Sequence, residues 1–255
     1  SVHNPAQAWN ALSIGGCTKK VDFDEPNKKC ERLAESGEAS PFTTTSECWD
    51  KSRWPIKPEI VFEAGNAIRD QYNFVGSHDD LSLLTTEARF HDYGYFCAFA
   101  GTSAASAYVA WMAARIHVAY PDLWPETVRA LLVHSAEWTP EMKKQFLYGE
   151  GKTDYAKLAR VFGYGVPHLE KALSCPSNSL TLISEANIQP FGLSDDERRK
   201  VSNEMHLYEL PWPKADLLGL GETNVRMRIT LSYYVEPSPG EVGWRDRYRY
   251  ASHGL

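Results

Sequence analysis

With 255 residues, 43% of them hydrophobic and 24% charged, the chain can bury one substantial core, or one domain with a smaller one beside it, and is not disordered by composition. A formal net charge of −6 with no basic stripe removes the electrostatic case for nucleic acid or an anionic membrane as partner. The five cysteines, Cys17, Cys30, Cys48, Cys97 and Cys175, are odd in number, widely spaced and without a C-x-x-C pair, so a reducing, cytoplasmic compartment is expected rather than a disulfide framework or a zinc ribbon. No apolar run is long enough to span a bilayer and no charged-then-apolar leader opens the chain. Ser1 stands where an initiator methionine would, and an upstream segment is expected to be missing.

Residues 3–18 read as a Pro-Ala turn, a short buried strand at 11–14 and a glycine turn at Gly15-Gly16. Residues 19–38 are polar, with Pro26 and Asn27 marking an exposed loop, and Trp49, Trp54, Pro55 and Pro58 form a packed irregular region. Residues 57–66, Lys-Pro-Glu-Ile-Val-Phe-Glu-Ala-Gly-Asn, give an apolar strand and a turn, in which Asn66 is a turn residue that tolerates positive φ. Residues 81–86 form a short strand with one apolar face, and residues 89–100 run from aromatic to small as they enter the core. His78-Asp79 and His91-Asp92 are surface or turn pairs, because sequence neighbours do not aim an imidazole and its carboxylate at each other.

Gly101-Thr102-Ser103 then opens an alanine-rich helix reaching Ile116, small enough on most sides to be buried. The tripeptide alone is also an ordinary helix cap. A serine in the first turn meets unpaired N–H groups and the positive end of the helix dipole, where a developing negative charge is favoured, as acyl transfer requires.

A second helix is expected over 125–136, with Pro125 and Glu126 in its first turn and His134 in a packing or hydrogen-bonding role. The texture changes after Pro176, which divides the chain into residues 1–176 and a smaller β-rich, sandwich-like module over 177–255, itself expected to be cut short at Leu255. Strands are expected there at 179–184, 204–210 and 225–235, with a short helix or loop at 195–203. The last has the cleanest alternation in the chain, with Val225, Met227, Ile229, Leu231 and Tyr233 on one face.

Gly101-Thr102-Ser103-Ala104-Ala105, followed by Val109-Ala110, resembles the nucleophile motif of the subtilisin-like serine proteases, the subtilases. Further segments resemble that family in its own chain order: residues 3–18, Ser40 to Ser46, Lys57 to Gly65, Trp124 to Ala136, and Phe162 to Pro167, the last implying a helix over 167–173. The resemblance implies an α/β domain with a parallel sheet, of which about residues 3–173 would be the second half. It implies Ser103 as nucleophile, flanked by Gly101 and Thr102, with the Ser103 N–H as an oxyanion donor. Chain order places Asn66 outside the oxyanion hole. The family's Asp-x-Gly and His-Gly-Thr motifs are absent from this sequence, so the acid, the base and the oxyanion asparagine are expected upstream or on another chain.

By that reading the chain is the nucleophile-bearing part of a serine endopeptidase, acts on peptide or protein substrates, needs a complementary N-terminal half or another chain as partner, uses no cofactor, and is inactive alone. A non-catalytic pseudoprotease or protein-binding module is the alternative.

Overall fold

The structure is a computed structural model that describes residues 2–3, 5–24, 29–49, 55–149, 151–178, 181–194, 199–210 and 212–234. Five short strands come first: β1 (Ile14–Cys17), β2 (Cys30–Arg32), β3 (Ile60–Glu63), β4 (Ala67–Asp70) and β5 (Val75–Ser77). A 3₁₀ turn at Asp79–Leu81 leads to β6 (Leu83–Thr86), the single helical turn α1 (Phe90–Tyr93) and β7 (Phe96–Phe99). Helices follow: α2 (Thr102–Ala119), α3 (Pro125–Ser135), α4 (Pro140–Phe146), α5 (Lys152–Phe162) and α6 (Leu169–Asn178). The series closes with β8 (Phe191–Leu193), β9 (Lys200–Ser202) and α7 (Lys214–Gly219).

The centre is the parallel pair β1 and β3, in register Ile14↔Ile60 through Cys17↔Glu63. Parallel strands are covered on both faces, and the side chains here divide accordingly. Cys17 and Val61 pack with Met142 of α4 and with Leu158, Val161 and Phe162 of α5. On the other side α2 packs against both strands, and the Phe62 ring stands 5.5 Å from that of Tyr108. Helices α3 and α6 pack on α2 and on each other. This is the mixed α/β architecture with a parallel sheet that the sequence implies, accompanied by the antiparallel sheets β2-β4-β5, β6-β7 and β8-β9.

The caps and first turns explain where the helices start. Pro125 and Pro140 occupy first-turn positions that need no N–H, Glu126 and Glu141 complement the dipole, and the Thr139 hydroxyl accepts from the Met142 N–H at 3.2 Å.

The first strand lies three residues later than the pattern gives, and Gly15-Gly16 is inside it rather than in a turn. A Cβ on Gly15 would stand 2.5 Å from Pro58, and one on Gly16 2.7 Å from the Ala64 methyl. Close approach, not turn geometry, selects these glycines. Asn66 also differs from expectation: the positive φ of 80° belongs to Gly65, and Asn66 is fully buried.

The chain divides into two compact units, residues 1–180 with 230–255, and residues 181–229. In the second, β8 and β9 form a hairpin paired Phe191↔Ser202 to Leu193↔Lys200, extended by the Asn203 N–H donating to the Pro190 carbonyl at 2.9 Å. The helix or loop expected at 195–203 is strand β9 in its described end. Residues 181–184, 204–210 and 225–234 take no strand. Alternation supplies a face but not a hydrogen-bonding neighbour, and Ile229 and Leu231 are exposed while the alternate residues Thr230 and Ser232 bond to α3. The expected loop at Pro26 and Asn27, Trp54, and residues 179–180, 195–198 and 235 of the expected elements lie outside the described residues. Among the described residues no helix is long and apolar enough to cross a membrane.

Candidate active site

Ser103 is the second residue of α2 and is exposed. Three features of the chain set its position. Gly101 precedes the helix with φ 152° and ψ 161°, a conformation that only glycine adopts without strain, so the chain can turn from β7 straight into α2. The Gly101 N–H donates to the Ala64 carbonyl at 2.8 Å, fixing the turn to the end of β3. Ala105, Val109, Met112 and Ile116 are buried at helical spacing and hold the rest of α2 against the sheet.

Electrostatically the site is simple. The Ala104 N–H donates to the Gly101 carbonyl at 3.1 Å, the Thr102 and Ser103 N–H groups precede the regular bonding of the helix, and α2 has no acidic residue in its first turn to neutralise the positive end of its dipole. The nearby Ser106 hydroxyl is occupied, donating to the Thr102 carbonyl at 2.9 Å. The Ser103 hydroxyl makes no hydrogen bond to a described residue. It opens into a groove of about 640 Å³ between α2 and the β6-β7 hairpin, walled by Leu83, Leu84, Phe99, Ala107, Tyr108 and Trp111. Among the described residues, no imidazole and no carboxylate lines this groove.

The histidines expected to be structural are engaged elsewhere. His78 Nδ1 accepts from the Asp80 N–H at 3.2 Å, and the ring meets Phe23 at 5.4 Å. His91 lies against Phe90, its neighbour in α1, with ring centroids 3.8 Å apart and the planes tilted by 39°. His134 Nδ1 lies 2.8 Å from the Thr230 hydroxyl. None supplies a base to Ser103.

Asn66 is likewise committed. Its amide nitrogen donates to the carbonyls of Lys20 at 2.9 Å and Ala34 at 2.8 Å. Its amide oxygen accepts from the N–H groups of Ala34 at 3.2 Å and Ala67 at 2.9 Å. These bonds bracket three backbone segments and leave the side chain nothing to offer an oxyanion.

Sequence reasoning missed a charged pair buried just ahead of β3. Lys57 is fully buried, and its ammonium donates to the Ala11 carbonyl at 2.7 Å and to Glu59 Oε1. Glu59 Oε2 accepts from the Ser13 N–H at 2.7 Å. Burial pulls the Lys57 ammonium below its usual range and pushes the Glu59 carboxyl above its own, each opposed by the other's charge. Lys57-Pro58-Glu59 carried this signal only as two opposite charges flanking a proline ahead of an apolar strand.

A sequence profile of the subtilase family (Peptidase_S8) matches residues 1–165. The chain is also 26% identical over 245 residues to the uncharacterized protein y4bN of Sinorhizobium fredii (strain NBRC 101917 / NGR234), an alignment that covers 90% of this chain and 50% of that protein. The chain therefore spans about half the length of the relative it matches. With the profile running through both central strands, the serine-bearing helix and the three helices that follow it, the chain belongs to the subtilase family.

Proposed function

We propose that the chain is the nucleophile-bearing part of a serine endopeptidase, with Ser103 as the nucleophile. The observation that carries this is the placement of an unbonded serine hydroxyl at the start of α2, on an un-neutralised helix dipole and at the mouth of an apolar groove. Membership of a serine protease family supports it.

In this reading a base outside the chain removes the Ser103 proton as Oγ attacks the peptide carbonyl, and the carbonyl electrons move onto oxygen. The Ser103 N–H donates to that oxyanion, together with an asparagine from outside the chain. Collapse of the intermediate expels the amine, protonated by the same base, and leaves an ester on Ser103. Water then attacks the ester and frees the second product and the serine.

Because no described residue of the groove is a base, the chain alone is inactive in this proposal. Loss of the histidine of this kind of triad removes rate on the order of a million-fold, a magnitude known from subtilisin itself. Residues 1–176 are the catalytic portion in this proposal, and residues 177–255 an appended module.

A fluorophosphonate probe tests the reading. It is expected to label Ser103 in the full polypeptide of the gene, to lose that label in Ser103→Ala, and to leave the isolated chain unmodified. Absence of label in a full polypeptide that carries the Asp-x-Gly and His-Gly-Thr segments would overturn it in favour of a pseudoprotease.

A further inference from the structure

Side chains at i and i+2 of an extended segment point the same way, about 6.7 Å apart. Residues 230–234 use that spacing on α3. The Thr230 hydroxyl lies 2.8 Å from His134 Nδ1, and Ser232 Oγ accepts from Arg129 Nε at 2.8 Å. Arg129 and His134 stand about 7.5 Å apart along the axis of α3, so the segment runs antiparallel to the helix in matching register. The rest of the Arg129 fork is filled by backbone. One terminal nitrogen donates to the Tyr233 carbonyl and the other to the Asn10 carbonyl, the latter at 2.8 Å. Among the described residues no carboxylate forms an ion pair with Arg129.

Apolar burial does not hold this segment, because Leu231, between the two hydroxyl residues, is 58% exposed. Its far end is engaged a second time. Burial, then the Glu59 carboxylate and the Tyr233 side chain, pushes the Tyr164 phenol above its usual range, an influence that requires Tyr233 to lie close to Tyr164. Tyr164 is itself fixed to the residue ahead of β3, its N–H donating to the Glu59 carbonyl at 2.7 Å.

We propose that α3 carries a docking site for an extended segment with hydroxyl side chains two residues apart, filled in cis by residues 230–234 and latched by Arg129. Arg129 lies in the part of the chain that the subtilase profile matches, and the strap lies beyond it. Between them the backbone leaves the first compact unit after α6, passes through residues 181–229, and returns at Thr230. The second unit is therefore tethered at both ends, and a backbone cut within it leaves the C-terminal piece bound through the strap. This goes beyond the reading of Ser103 and does not depend on it.

The test cuts the full chain inside the second unit. A recognition sequence for a site-specific endopeptidase is placed between Gly221 and Glu222, in an exposed turn, and the cut protein is passed over a size-exclusion column and then diluted. The C-terminal piece is expected to co-elute with the remainder. Arg129→Ala, which removes two charge-assisted bonds to the strap, is expected to speed its dissociation about tenfold or more. Thr230→Val with Ser232→Ala, which leaves α3 untouched, is expected to speed it about tenfold as well. Separation of the piece from the unsubstituted protein on the column overturns the proposal. Equal retention in all three proteins also overturns it, since the hold then lies elsewhere in residues 222–255. Acceleration by only one of the two changes overturns it too: Arg129→Ala alone would be acting through Asn10, and the strap variant alone would show that Arg129 is not the latch.

Discussion

The Gly101 N–H and the Ala64 carbonyl meet at 2.8 Å, and this bond couples the start of the serine-bearing helix to the end of the central strand β3. The residue that makes the bond holds φ 152° and ψ 161°, a region closed to side chains by strain. Gly101→Ala is therefore expected to destabilise the protein by about 1–3 kcal/mol. It also displaces Ser103, whose placement depends on that turn. Urea denaturation gives the first effect, and the rate of fluorophosphonate labelling in the full polypeptide, expected to fall about a hundredfold for a displacement near 1 Å, gives the second.

Lys57 and Glu59 make a coupled prediction. Glu59→Gln leaves the Lys57 ammonium buried without a counter-charge, and is expected to cost about 3–5 kcal/mol. Replacing both, as Lys57→Met with Glu59→Gln, removes the stranded charge and is expected to be milder than Glu59→Gln alone. A double-mutant cycle by urea denaturation measures the coupling. A double variant as unstable as the sum of the single ones would show that the two groups act independently.

Asn66 separates a structural role from a catalytic one. Its side chain satisfies two carbonyls and two N–H groups in the core, so Asn66→Ala strands several buried polar groups at about 1–3 kcal/mol each, reduced by any water that enters. The expected result is a lowered urea midpoint with labelling of Ser103 unchanged under conditions where the variant remains folded. A specific loss of labelling rate without loss of stability would return Asn66 to the oxyanion hole.

The parts of the fold legible in the sequence were those that local physics determines. Pro125 and Glu126 mark the start of α3, and the tripeptide Gly101-Thr102-Ser103 marks the start of α2. What escaped depended on contacts distant in the chain. Gly15-Gly16 looks like a turn until Pro58 and Ala64 are brought against it from more than forty residues away. Residues 225–234 have the best strand pattern in the chain, but period two says nothing about a neighbour, and the Arg129 guanidinium instead binds Ser232 Oγ and the Tyr233 carbonyl. Helix α2 was legible as an alanine-rich helix, but the exposure of Ala107, Ala110 and Ala114 opposite the buried Ala105, Val109 and Met112 was not, because residue spacing identifies an apolar face without identifying what covers it.

Cys17 supplies a prediction with a defined sign in pH. Its thiol lies with Val61, Met142 and Leu158 in the core, and burial, reinforced by the Glu63 carboxylate, pushes its pKa from 9.0 up to about 12. The folded state therefore keeps the proton after the unfolded chain has released it. The resulting contribution to stability is complete below about pH 9 and is lost as pH rises from there toward about 12, the whole loss being on the order of 4 kcal/mol. Cys17→Ala removes this loss, so its urea midpoint is expected to fall less steeply between pH 9 and 11 than that of the parent, after an initial penalty of about 1 kcal/mol for the lost sulfur. Equal slopes would show that Cys17 ionises alike in both states. The same protonation makes the thiol inert: at pH 8 the exposed Cys48 is expected to react with a disulfide reagent in the folded protein, and Cys17 only on unfolding.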